Sequence, residues 1–186
     1  WMNRNNLFST FGLCKGSVPS SKVLWYIPLA ALISSNLWFG LRWNLSVHET
    51  LLYIGSMIFV GFVEEVIFRG LLFNAMCKDG LKSAVIVSSL TFGIGHIVNL
   101  FNGSGAQLAS NLCQVGYTIA IGFLFVVLFL KTGSLIPCIV THSAVNSMSV
   151  FANEGSITVT QEIFSAIAIA VIALAYAVYL LKKLPE

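Results

Sequence analysis

Residues 51–76 read LLYIGSMIFVGFVEEVIFRGLLFNAM, a run interrupted by charge only at Glu64, Glu65 and Arg69. A helix that crosses a bilayer needs about 20 mostly apolar residues, so the stretch predicts a spanning helix. Its charges then need a reason, because each costs at least ~2.5–3.5 kcal/mol at a helix centre by insertion scales. Glu65 and Arg69 stand four apart on one face and can pair, which lowers the cost of burying both. Glu64 lies about 100° round the helix and is left to point elsewhere.

Outward from this stretch the same hydropathy recurs. The 186 residues are 57% hydrophobic and 9% charged, far below the roughly 25% of charged residues in a soluble domain. An ordinary soluble enzyme and a disordered chain are excluded. Six apolar stretches are predicted as spans, at 23–41, 51–76, 83–100, 108–130, 134–151 and 163–181. The separators carry breakers or charge, including Asp79-Gly80, Asn102-Gly103-Ser104-Gly105 and Glu154-Gly155. The expectation is an all-α, polytopic membrane bundle of about six transmembrane helices with a buried polar site. Residues 1–22 form a polar N-terminal segment without the apolar centre of a cleavable signal, and 23–186 form one transmembrane domain.

Alternating the sides puts Arg4, Lys15, Lys22, Lys78, Lys82, Lys131, Lys182 and Lys183 together and leaves Arg42 alone opposite. By the positive-inside rule both termini are cytoplasmic. The dispersed basic residues give no nucleic-acid footprint. Cys14, Cys77, Cys113 and Cys138 contain no C-x-x-C pair and read as small apolar residues. His48-Glu49 opens like H-E-x-x-H, but position 52 is Leu, so the two read as an interfacial pair. Ser134 is the expected N-cap of the fifth span, which places Pro137 in its tolerant first turn.

Two further clusters fall inside spans: Phe92-x-x-x-His96 in the third and His142-x-x-x-Asn146 in the fifth. Counted from Lys78, Lys82 and Lys131 at roughly 1.5 Å per residue, Glu64, His96, His142 and Asn146 all lie roughly 16–23 Å from the basic side. Agreement in depth on helices of alternating direction predicts one polar cavity. Gly61, Gly70, Gly93 and Gly95 lie in the same region and suit close helix packing. Phe92 reads as packing, and Glu65–Arg69 as a supporting ion pair. Other readings are a non-catalytic membrane partner that keeps the fold and a proton relay, although no helix carries a polar stripe along its length.

In this order on separate spans, Glu64-Glu65-x-x-x-Arg69, Phe92-x-x-x-His96 and His142-x-x-x-Asn146 resemble the CPBP family of intramembrane proteases, also called the Abi or CAAX-protease-like family. The resemblance covers about residues 50–151. It implies an intramembrane endopeptidase, in a bacterial cell membrane, that cleaves a peptide or membrane-anchored protein substrate in CAAX-like or leader-peptide processing. It makes Glu64 the general base, with His96 holding the attacking water, His142 and Asn146 stabilising the oxyanion, and Glu65 and Arg69 organising the site. A carboxylate base and preset donors suit hydrolysis where water is scarce. No serine or cysteine nucleophile with a paired base is indicated. Glu64, His96 and His142 also form a one-carboxylate, two-histidine set that could hold zinc with an open position for water. A non-catalytic immunity protein of the same family is the alternative function.

Overall fold

The computed structural model describes residues 3–5, 7–103, 107–153, 155 and 157–184. Ser104, Gly105 and Glu154 of the expected separators lie outside them. Among the described residues the fold is helical, and the one β feature is an isolated bridge between Leu41 and Ala152. Beside short helical turns at Asn3–Asn5, Leu7–Thr10, Ser20–Tyr26 and Ser34–Leu37, the helices are α1 (Ile27–Ile33), α2 (Val47–Asp79), α3 (Leu81–Leu100), α4 (Leu108–Thr132), α5 (Ile136–Phe151) and α6 (Val159–Lys183).

Four of them, α2, α3, α4 and α6, are long and apolar enough to cross a membrane, and α5 is a shorter apolar helix. The first expected span, 23–41, is not one helix. Leu24, Trp25 and Tyr26 take positive φ values of 53°, 47° and 59°, a left-handed turn that side-chain-bearing residues rarely adopt. From α6, Tyr176 donates its hydroxyl to the Val23 carbonyl at 2.7 Å and Tyr179 donates to that of Lys22 at 3.4 Å, taking acceptors that a continuous helix would use. What remains is α1 continued by a 3-10 turn at Ser34–Leu37, together roughly 18 Å long, against the ~30 Å of a hydrocarbon core.

The helix starts are specified locally. Ser46 and Glu49 make a capping box at α2, so Glu49 closes that helix start; Thr158 and Gln161 do the same at α6. At α5 the cap position falls on Leu135, one residue later than expected. Ser134 Oγ still accepts the Ile136 N–H at 3.2 Å, and Pro137 sits in the first turn.

α4 lies innermost of the long apolar helices. From Ala120 to Phe129 in α4, every residue but Phe123 is buried. α4 packs between α3 and α6, α5 packs on α2, and α1 packs against α5 and α6. Two pairs approach closely because glycine leaves room: a Cβ at Gly61 would lie 2.7 Å from the backbone nitrogen of Ser143, and one at Gly93 would lie 2.7 Å from that of Ile119. Outward, α6 exposes Phe164, Ile167, Val171, Leu174, Val178 and Leu181 along one stripe, and α2 exposes Leu51, Leu52, Ile58, Phe59 and Phe62. Continuous apolar surface on this scale fits a bilayer as the surrounding solvent. The N-terminal segment lies across the α4–α5 turn: Leu135 N–H donates to the Gly12 carbonyl at 2.7 Å and Ser17 N–H to that of Thr132 at 2.9 Å.

Candidate active site

α2 carries the acidic cluster where its geometry changes. From Val66 to Phe73 the helix widens into a π segment, a form concentrated at functional sites. Ser88 of α3 donates to the Phe68 carbonyl inside it at 2.9 Å. Arg69, within the segment, is fully buried with Glu65, and its Nη1 donates to Glu65 Oε1 at 2.9 Å. Its Nη2 donates to the Gly122 carbonyl of α4 at 3.2 Å. The guanidinium also lies over the rings of Phe92, 4.1 Å from its centroid, and Phe125, 5.4 Å away, a favourable placement for a desolvated cation. Charge, carbonyl dipole and ring faces together make burial of Arg69 tolerable.

The expected ion pair is therefore present, and it reaches further than helix spacing indicates. Glu65 Oε1 also contacts Nδ1 of His142 on α5 at 2.8 Å. An ionised carboxylate only accepts, so His142 Nδ1 carries a hydrogen and its ring orientation is fixed. The opposite nitrogen, Nε2, lies 3.8 Å from Glu64 Oε2. Consecutive residues on α2 thus address the two nitrogens of one imidazole from different sides. Glu65 is wholly buried behind the ring, whereas the Glu64 side chain is 34% exposed.

His96 sits where α3 tightens from α to 3-10 geometry, and its Nδ1 bonds the Phe92 carbonyl at 3.0 Å. A carbonyl cannot donate, so in the neutral ring the hydrogen is on Nδ1 and Nε2 is a bare acceptor. Phe92 stands edge-on to both imidazoles, with centroids 5.4 Å from His96 and 5.5 Å from His142. The residue expected to be packing is the spacer that sets the two histidines apart.

His96, His142 and Asn146 line one cleft walled by α3, α4 and α5, with Leu32 of α1 also in its lining. Glu64 does not line it and reaches its edge through His142 Nε2. Glu65 and Arg69 lie behind the wall. Among the described residues, no three His, Cys, Asp or Glu side chains are grouped to hold a metal ion. The Glu64, His96 and His142 set therefore does not fit zinc as arranged.

Several site features are invisible to a search for charged residues inside spans. Gln114 and Tyr117 of α4 line the cleft, and α1 supplies Leu32. Gln114 shares a helix face with Tyr117, Thr118, Ile121 and Phe125 at offsets of three, four, seven and eleven residues, a signal that periodicity contains but net charge does not.

The family model for type II CAAX prenyl endopeptidase Rce1-like proteins matches residues 45–148, more than half of the chain and a range that contains every residue named in the three clusters. No curated protein and no solved structure matches.

Proposed function

We propose that this chain, which belongs to the Rce1-like type II CAAX prenyl endopeptidase family, hydrolyses a peptide bond in the cleft between α4 and α5 with water activated by Glu64. Membership of the family implies a CAAX-type intramembrane protease acting on peptide or protein substrates. The observation that carries the mechanism is the doubly addressed ring of His142, held at Nδ1 by Glu65 and facing Glu64 with Nε2.

The facing of Glu64 and His142 and the cleft positions of His96 and Asn146 support the following steps. The Glu64 carboxylate takes a proton from water as its oxygen adds to the substrate carbonyl carbon. His96 Nε2, a bare acceptor, orients that water. With His142 protonated at both nitrogens, Nε2–H and the Asn146 carboxamide donate to the oxyanion of the tetrahedral intermediate. Glu65 balances the imidazolium, and Arg69 holds Glu65 in place. As the C–N bond breaks, the proton on Glu64 passes to the departing amine.

Both termini lie on the cytoplasmic side, a reading supported by Lys78, Lys82, Lys131, Lys182 and Lys183 at one end of the long helices and by the bonds that tie Gly12 and Ser17 to the α4–α5 turn beside Lys131. The hydrogen bonds that tie the N-terminal segment to the α4–α5 turn support a single transmembrane domain with that segment folded onto it.

One observation favours a second reading of the base. His96 lines the cleft and Glu64 does not, so His96 Nε2 could take the water's proton in its place. The kcat of Glu64→Gln and His96→Ala separates the two, because the true base is the residue whose loss is the more severe. The hydrolytic reading itself is tested with Asn146→Ala in lipid micelles on an internally quenched farnesylated peptide. The expected result is a fall in kcat of about 10²–10³ with KM little changed, the scale of one lost oxyanion donor. Unaltered kcat refutes the assignment, and retained physiological effect without any peptide cleavage favours the non-catalytic partner.

A further inference from the structure

The cleft has a wall that the hydrolytic steps leave unused. His96, His142 and Asn146 come from α3 and α5, whereas the α4 side presents Gln114 and Tyr117. The orientation of the Gln114 amide can be worked out from its neighbours. Asn111, 1% exposed, donates Nδ2 to the His96 carbonyl at 2.8 Å, and a carbonyl accepts only a donor. The same Nδ2 faces Gln114 Oε1 at 3.5 Å, and Asn99 Nδ2 donates to that oxygen at 3.0 Å. Two donors therefore hold the oxygen of Gln114 away from its Nε2, and the chain of amides begins at the backbone of His96 itself.

We infer that Gln114 is a substrate-binding residue whose Nε2 hydrogens bond a main-chain carbonyl of the peptide beside the scissile bond. The inference rests on the hydrolytic reading of the cleft and adds the recognition element opposite its chemistry. The acceptor it fits is neutral, because among the described residues no Lys or Arg lines the cleft to balance a terminal carboxylate. Thr118 and Thr141 do not compete for this role. Their hydroxyls donate to the backbone carbonyls of Gln114 and Pro137, at 2.6 and 2.7 Å. The anchoring of Gln114 through Asn111 to His96 fixes the distance between the bound carbonyl and the imidazole, so binding and chemistry share one frame.

The test uses the whole chain in lipid micelles and an internally quenched farnesylated peptide, prepared with a free and with an amidated C terminus. Gln114→Glu keeps an oxygen for Asn99 and Asn111 and removes the amide hydrogens. Gln114→Leu removes the donor without adding charge. For both variants KM should rise about tenfold, the scale of one hydrogen bond, with kcat within about twofold and the two peptides affected alike. Unchanged KM, or a loss confined to the free-acid peptide, overturns the inference. A second arm needs no turnover: binding of the labelled peptide to Glu64→Gln protein should weaken about tenfold on adding Gln114→Leu. Equal affinities, or no saturable binding to either protein, also overturn it. Failure of the hydrolytic reading shows separately, as wild-type protein that binds the labelled peptide without cleaving it.

Discussion

Glu64 and Glu65 are neighbours in sequence, yet their neutralisation should have opposite signatures. Glu65 Oε1 accepts from Arg69 Nη1 at 2.9 Å and from His142 Nδ1 at 2.8 Å, with Glu65 and Arg69 at 0% exposure. Glu65→Gln leaves the Arg69 cation buried with one carbonyl and two ring faces for company. Removing one partner of a buried pair costs about 3–5 kcal/mol. A carboxamide oxygen can still accept one of the two bonds, which places the expected loss toward the lower end of that range. Glu64 Oε2 lies 3.8 Å from His142 Nε2, beyond hydrogen-bond reach, and its side chain is one-third exposed, so Glu64→Gln should change stability by no more than about 1 kcal/mol. The assay is reversible unfolding by SDS titration in mixed micelles, followed by helical circular dichroism, beside cleavage of the farnesylated reporter. Glu65→Gln with Arg69→Met removes both charges and should recover most of the single variant's loss, since the buried Arg69 charge is gone with its partner and the carboxamide oxygen still accepts from His142 Nδ1. Equal unfolding of wild type and Glu65→Gln, or a double variant no better than the single, would refute the reasoning.

Other outcomes follow from the same contacts. Gly61→Ala pushes α5 off α2 at Ser143 and should cost about 1–3 kcal/mol in SDS unfolding and lower cleavage, whereas Gly95→Ala meets no atom within 4 Å and should do neither. Tyr176→Phe removes the buried donor to the Val23 carbonyl and should cost about 1 kcal/mol, with faster proteolysis at the 23–26 turn as a second readout. Because no three metal-binding side chains are grouped among the described residues, dialysis against a strong chelator should leave the rate within twofold of the untreated enzyme.

Hydropathy located α2, α3, α4 and α6 because bilayer thickness imposes one length on every spanning helix. It misjudged 23–41 because composition alone does not register who takes the backbone carbonyls. Tyr176 and Tyr179 lie some 150 residues away and turn that stretch into a bend and a short helix. Within α2, the Glu65–Arg69 pair is legible since a four-residue offset is local. The bond from Glu65 to His142 is not, because it depends on how two helices are rotated against each other. Uniform helical periodicity also hides the π segment, which reaims residues 66–73 without any change in hydrophobicity. Gln114 and Asn111 escaped notice for a different reason. Carboxamides cost less to bury than charges, so they do not stand out in an apolar run, yet they can orient a site as firmly as an ion pair.

The most direct measurement is the turnover of Glu64→Gln protein whose SDS unfolding matches wild type, on the farnesylated reporter at saturating concentration. Loss of the general base from an intact cleft should lower kcat by about 10²–10⁴. A rate within twofold of wild type would contradict the assignment of Glu64 as the group that activates water.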